Sequence, residues 1–420
     1  MAMEKQRSGV VVSHPGHILV AYQASLALQE LGLLDCFETC FYYKDSRFSQ
    51  ILLSILPKTV AAWIAKQLQR RMHDGLASTR IRTHPIAEII FVLSARLPVL
   101  NGIAKTIMHL RNEYFDALVG QTVRRSRPRA VMCYDTVALK TFKAAREVGA
   151  LCILDQVIGH IKTGEKLLAE ERQLHPEFLD SIPDSDPAWL LERCAMEAVA
   201  ADKVLAASEY VRDTLIANGV SASRIVLCQY GVDTARFRPP VNVADHPFRI
   251  LFVGQISQRK GIKYLLEAVK NLHLKEAELI LMGGVIGSGN GLRPYEGLFK
   301  HIAAVPYSEL PQHYQSADIF VYPSLHEGSA LAIYEALASG LPVITTPNAG
   351  SVVRDGEEGF VVPIRDVEAL MGKMLLLYRD RELRKTMSLK ARKRAESFSW
   401  EHYRQRLGKF VEDVLREKPV

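Results

Sequence analysis

The sequence predicts an α/β protein of two doubly wound parallel sheets, and three observations carry that expectation. Short apolar runs alternate with helical patterns along most of the 420 residues. Gly, Pro, Asn or Asp stands at most of the switches between them. One aperiodic, proline-bearing stretch, residues 233–247, separates two such series and reads as a linker. The length itself fits about two domains of ordinary size.

Taken in order, residues 10–13 read as a strand, His14-Pro15-Gly16-His17 as a turn, and residues 19–31 as a helix stopped by Gly32. Strands are expected at 130–134, 151–154, 203–206 and 225–228, with helices at 136–148 and 209–218 closed by Gly149 and Gly219. After the linker come strands at 249–253, 278–282, 319–322, 342–345 and 359–362, with helices at 262–272 and 330–338. Residues 48–127 do not fit the alternation: they are helix-rich and interrupted by Pro57, Pro85 and Pro98. The expected domains are 1–240, with a basic helical insertion at about 44–129, then 241–400, then a terminal helix at 401–420.

Composition excludes several classes. Hydrophobic residues make up 48% and charged residues 24% of the chain, with a mean hydropathy of +0.02, which describes a globular protein with ample core. No apolar run approaches the roughly 18 residues of a membrane-spanning helix, and the apolar run at residues 10–12 is too short for a signal peptide. A cytoplasmic protein is the expectation. The six cysteines show no metal-ligand spacing and read as reduced core residues.

The net charge of +7 is uneven. Residues 44–129 hold 15 Lys and Arg against 5 Asp and Glu, a net of +10. An anionic partner and a solvated basic face both explain that surplus. Within it, residues 51–68 have the pattern of an amphipathic helix, which fits an interfacial contact at the inner membrane face and fits packing on the first domain equally. Nucleic acid is not expected, because the stretch lacks interleaved aromatics.

The most informative segment is 323–340, PSLHEGSALAIYEALASG. A strand ends at Tyr322, Glu327-Gly328-Ser329 turns, and a helix opens at Ala330. A helix N-terminus presents unbonded N–H groups and the positive end of the dipole, which suits phosphate; Gly328 lets a ligand approach the backbone there. Glu327 and Glu335 are roughly 10–12 Å apart along the axis, about the span from a hexose to a ribose across a diphosphate. Each carboxylate can accept from vicinal hydroxyls.

These residues resemble the retaining glycosyltransferases of family 4, whose mark is two glutamates with seven residues between them in the setting EG…EALAxGxPVI. The resemblance covers nearly all of residues 249–420 and, more loosely, 201–239. It implies the GT-B architecture: two Rossmann-like doubly wound domains facing a central cleft, with the C-terminal helix crossing back to the first. It implies that Glu327 contacts the donor sugar, that Glu335 contacts the ribose, and that Gly328, Ser329 and Ala330 present backbone to the phosphates.

A second matching run, Phe252-Val253-Gly254-Gln255-Ile256-Ser257-Gln258-Arg259-Lys260-Gly261, places Lys260 as the clamp on the diphosphate. Gln255 stands where the family often has Arg, removing a fixed positive charge, and Arg259 is a candidate to compensate. On the acceptor side, Gly16 in the turn 14–17 is a candidate for close approach to a ligand, with a plain turn as the other reading. His160, on the loop after the strand at 151–154, is a candidate contact to the transferred sugar, with a core or capping histidine as the other reading.

The implied reaction is transfer of a hexose from a UDP- or GDP-linked donor to a hydroxyl acceptor (glycan, lipid-linked or small molecule), with retention and without a metal or bound cofactor. Asp184-Ser185-Asp186 spells a motif of metal-using transferases of another fold but reads as a turn between prolines, and residues 287–291 read as a flexible glycine-rich loop. The alternatives are a non-catalytic nucleotide-sugar binding or scaffold protein and another GT-B enzyme such as an epimerase.

Overall fold

A computed structural model describes residues 8–43, 72–73, 75–94, 104–241 and 246–417; the amphipathic stretch 51–68 lies outside them. The chain folds, as expected, around two mainly parallel sheets. The first contains β1 (Ser8–Ser13), β2 (Leu34–Thr39), β3 (Ile81–Thr83), β4 (Pro128–Tyr134), β5 (Leu151–Gln156), β6 (Lys203–Ala206) and β7 (Ile225–Leu227) in the order β3-β2-β1-β4-β5-β6-β7. The helices before residue 248 in the chain are α1 (Leu19–Glu30), α2 (Pro85–Ser94), α3 (Ala104–Ser126), α4 (Leu139–Glu147), α5 (Ile161–Leu174), α6 (Ala188–Ala200) and α7 (Glu209–Ala217). Val10, Val11 and Val12 of β1 and residues 130–134 of β4 are fully buried, the near-continuous apolar signature of strands covered on both faces.

The second sheet contains β8 (Phe248–Val253), β9 (Ala277–Met282), β10 (Phe299–Ile302), β11 (Ile319–Tyr322), β12 (Val343–Thr345) and β13 (Gly359–Val361). Every neighbouring pair in its order β10-β9-β8-β11-β12-β13 is parallel. The helices after β8 in the chain are α8 (Ile262–Leu272), α9 (Leu310–Gln315), α10 (Leu331–Ala338), α11 (Val367–Arg379), α12 (Arg381–Glu396) and α13 (Trp400–Glu417). The order reverses between β8 and β11, and open α/β sheets bind ligands outside the carboxyl ends of the strands at such a switch point.

The chain divides into two compact units: Met1–Asp155, Glu192–Leu205 and Arg404–Val420 form one, and Gln156–Leu191 with Ala206–Tyr403 the other. That division does not coincide with a cut at residue 240, because residues 156–191 pack in the second unit. Glu171 of α5 holds them there. Its fully buried carboxylate accepts from Gln258 Nε2 at 2.6 Å, Tyr264 Oη at 3.0 Å and Arg365 Nε at 2.6 Å. In the first unit, α13 ends against α1 and β4: Arg404 Nε donates to Glu30 at 3.1 Å and Arg129 to the Leu415 carbonyl at 3.0 Å.

Several expectations need correction. The stretch 44–129 is not purely an insertion, since β3 pairs in parallel with β2 and α3 packs on α4; β3 has three residues and two exposed side chains, too few to show a period. Strands β2 and β10 are likewise additional. The helix expected at 136–148 starts at Leu139, because Thr136 has a positive φ of 74°. Buried carboxylates cap that start: Glu197 accepts from the N–H groups of Thr136 and Ala138 at 2.7 and 2.9 Å, and Asp116 from those of Lys140 and Thr141, each at 2.8 Å. Residues 287–291 are not a free loop. Asp180 accepts from Ser288 N at 2.7 Å, and a 3-10 turn follows at Asn290–Tyr295. None of the six cysteines is in a disulfide, and all six are buried.

Candidate active site

Two strand ends at the switch point of the second sheet build the site. After β8 the chain passes through Gly254 and the exposed Gln255 into a 3-10 turn at Gln258–Lys260. Gly261 then turns with φ +71°, and a Cβ there would lie 2.0 Å from the Pro323 carbonyl oxygen. Only glycine fits both the conformation and the space, and the close approach sets the turn carrying Arg259 and Lys260 against the segment after β11.

That segment delivers Glu327. Its carboxylate is in ion-pair contact with Lys260 Nζ, and Arg259 Nη1 donates to it at 3.2 Å and to the His326 carbonyl at 2.9 Å. Lys260 is 7% exposed, and its ammonium stands 5.1 Å from the centre of the Tyr322 ring. Burial first, and the Arg259 charge second, push the Lys260 ammonium well below its ordinary range; burial also lowers Arg259. Two partly desolvated cations against one carboxylate leave a surplus of positive charge that an incoming phosphate would relieve.

The helix after Glu327 behaves as its sequence predicts. Ala330 is extended as its N-cap, α10 runs over Leu331–Ala338, and Gly340 ends it in the left-handed region. The Ala330 N–H donates to the Ala349 carbonyl at 3.2 Å and Ser329 Oγ lies 2.9 Å from Tyr334 Oη. Glu335 is buried, and Tyr314 Oη donates to it at 2.8 Å. Burial raises its carboxyl to about 7, opposed by hydrogen bonds from Tyr314 and Tyr307 and by the Arg236 charge.

A raised acid favours the fold when protonated, so the Glu335 contribution is present at low pH and is lost as pH rises through about 7. Glu335→Gln removes that loss. Its melting temperature relative to the parent should therefore rise by several degrees between about pH 5 and about pH 8. A difference that stays constant across that range would exclude the raised carboxyl.

His160 is the N-cap of α5. Its Nδ1 accepts from Lys162 N at 3.3 Å, its own N–H donates to Thr214 Oγ1 at 2.9 Å, and burial, followed by Lys162, lowers it to about 4. The capping arrangement is thus present, and the loop carrying it does meet the site: Gly159 N donates to the Glu327 carbonyl at 3.1 Å. Gly16 belongs to the first unit, where His14 Nδ1 lies 3.0 Å from both its N and its O. Lys260, Arg259, Glu327, Gly328, Ser329, Ala330, Glu335, Gln255 and His160 all lie in the second unit, which brings Lys260, Arg259 and Glu327 into contact and sets the loop of His160 against Glu327. Asp184 and Asp186 lie in a loop, and among the described residues no His, Cys, Asp and Glu side chains form a metal-binding group.

Sequence reasoning missed His326 and its partners. Its Nδ1 lies 2.7 Å from Tyr210 Oη, and a Cβ at Gly164 would come within 2.5 Å of its Nε2. Burial, with Arg259 next, lowers it to about 4, so the ring is neutral beside Glu327. Only its place directly before Glu327 could have drawn attention to it.

Residues 247–380 match the family model described as Glycosyl transferases group 1. The likeness is to glycosyltransferases. Sulfoquinovosyl transferase SQD2 of Arabidopsis thaliana is 32% identical over 236 residues, covering 51% of this chain and 44% of that protein. D-inositol 3-phosphate glycosyltransferase of Corynebacterium kroppenstedtii is 32% identical over 204 residues, 44% of this chain and 45% of that one. The chain spans about half the length of the curated relatives it matches.

Among solved structures, sucrose-phosphate synthase from Thermosynechococcus elongatus superposes with a TM-score of 0.69 at 17% identity, covering 98% of this chain and all of that one. Anabaena HepE in complex with UDP and glucose gives 0.64 at 14% identity, covering 97% of this chain and 100% of that one. At these identities the likeness is one of fold, and the fold is GT-B.

Proposed function

We propose that the chain is a retaining, metal-independent glycosyltransferase that moves a hexose from a nucleoside-diphosphate sugar to a hydroxyl acceptor. The observation that supports this most directly is the pairing of Lys260 and Arg259 with Glu327 at the switch point of the second sheet. Donor binding places a diphosphate where Lys260 and Arg259 now hold a carboxylate, and frees Glu327 to accept from sugar hydroxyls. Glu335 accepts from the ribose, and the start of α10 with Gly328 and Ser329 supplies backbone N–H groups to phosphate; the Ala330 N–H, expected from the sequence to join them, is held by the Ala349 carbonyl. HepE is named with UDP, glucose and UDP-glucose, which favours a UDP-linked donor over a GDP-linked one.

In the step itself the acceptor oxygen bonds to the anomeric carbon as the bond from that carbon to the diphosphate oxygen breaks. The acceptor proton passes to a leaving phosphate oxygen on the same face. The negative charge growing on the diphosphate is met by Lys260 and Arg259, fixed before reaction in a partly desolvated setting. His160, neutral and capping α5, holds the loop 157–160 against Glu327. The acceptor is a hydroxyl compound (lipid-linked, glycan or small molecule), and no cofactor beyond the donor is required.

UDP-, GDP- and ADP-sugars, screened first by thermal shift and then by nucleotide release with and without acceptor alcohols and EDTA, test this reading. UDP-sugar consumption that needs acceptor, survives EDTA and keeps the anomeric configuration is expected. A donor that stabilises the protein but is never consumed, whichever acceptor is offered, would instead make the chain a binding protein, and inversion would exclude the same-face step.

A further inference from the structure

Helix α2 is turned inside out. At positions i, i+3 and i+4 it carries Ile86, Ile89 and Ile90, which are 68%, 53% and 55% exposed. Its one charged residue, Glu88, is 4% exposed on the opposite side, where Arg111 of α3 donates to it at 2.8 Å. Arg111 also stacks 4.7 Å from the Phe91 ring centre. A surface helix normally turns its apolar stripe to the core and its charges to water; here an ion pair joins α2 to α3 and the isoleucine stripe faces out. Leu110 and Tyr114, one helical turn apart on α3, are also 63% and 48% exposed.

Charge decides what covers this stripe. Among described residues 75–129 the carboxylates are Glu88, Glu113 and Asp116, and none is exposed: Glu113 pairs with Lys140 and Arg193, and Asp116 is fully buried with Arg193 at 2.5 Å. Arg82, just before α2, pairs with the buried Glu38 at 3.6 Å yet leaves 52% of its side chain exposed, in a stretch whose net charge is +10 from residue 44 to residue 129. Outward isoleucines, a tyrosine and a surplus of cations over carboxylates are the composition of a helix that lies in a bilayer interface. A symmetric dimer through the same face would instead set two basic surfaces against each other.

We propose that the Ile86–Ile89–Ile90 face of α2, with Leu110 and Tyr114 of α3, docks on an anionic lipid surface. The chain then works as a peripheral protein, held by shallow apolar insertion and by the attraction of its basic stretch for anionic headgroups. Among the described residues no helix is long and apolar enough to cross a membrane. The inference is independent of the transfer reading, since lipid binding and donor consumption are measured separately.

Flotation of the full chain with vesicles of phosphatidylcholine alone, or with about one third phosphatidylglycerol, tests it. Binding to the anionic vesicles is expected, weakening with salt as surface charge is screened. The triple variant I86S/I89S/I90S should lose about tenfold or more in partitioning while keeping the parent's melting temperature and its turnover of a soluble acceptor. Failure of the parent to bind anionic vesicles, or equal binding by a folded triple variant, would overturn the proposal. So would concentration-dependent dimerisation without lipid that the triple variant abolishes, because the face would then belong to a second copy.

Discussion

On the transfer reading proposed above, Lys260→Ala should lower turnover of a nucleotide-sugar donor by about two to three orders of magnitude, the usual consequence of deleting a fixed group that meets charge growing in a transition state. The loss should fall mainly on kcat. Before reaction the diphosphate still has Arg259 and the start of α10, whereas the departing diphosphate carries more charge and needs both cations. The fold should change far less than the rate. Glu327 keeps the Arg259 guanidinium at 3.2 Å and the Tyr322 hydroxyl at 3.5 Å, so it is not left as an unpaired buried charge. Steady-state kinetics with a thermal melt on the same preparation checks both halves. Activity within about twofold of the parent would remove Lys260 from the clamp, and a collapse of the melt alongside the rate would make its role structural.

The part of the candidate site built from residues 254–261 and 327–335 was readable because it is local. Gly254 to Gly261 and Glu327 to Glu335 are short runs in which the turn, the cation or carboxylate and the helix start are consecutive in sequence. The parallel sheet then brings the ends of β8 and β11 side by side, which the alternation of strands and helices already implies. What could not be read is long-range. Tyr210 reaches His326 across 116 residues, and Glu171 reaches Gln258 and Arg365 across 87 and 194. No periodicity marks those partners. The same limit hid the placement of residues 156–191, which follow β5 in sequence yet pack in the second unit through Glu171 and the loop 157–160. The stripe on α2 was missed for a different reason: apolar periodicity says that a helix has two faces, but not which of them turns to the core.

Gly328→Ala should be among the most damaging single-atom additions in the chain, for a reason confined to backbone. A Cβ at residue 328 would lie 1.6 Å from the Val157 carbonyl oxygen, 2.5 Å from its carbon and 2.9 Å from Ile158 Cα. None of these can move by changing a rotamer. Loop 157–160 is tied on one side by Gly159 N to the Glu327 carbonyl at 3.1 Å and on the other by His160 N to Thr214 at 2.9 Å. Residue 328 cannot retreat either, because its carbonyl accepts from Ser208 Oγ at 2.6 Å and the Gly350 backbone lies against it. Relief requires breaking at least one of these bonds inside the core, a loss of about 4 kcal/mol or more, which is a fall of about 10 °C or more in melting temperature for a unit of this size. Gly372 is the matched control. It lies in α11 with nothing within 4 Å of its added Cβ, so Gly372→Ala should gain up to about 1 kcal/mol from helix propensity alone. Opposite shifts in the two melts are expected; a Gly328→Ala protein melting within about 2 °C of the parent would mean that loop 157–160 yields, and that its hold on Glu327 is weaker than these distances require.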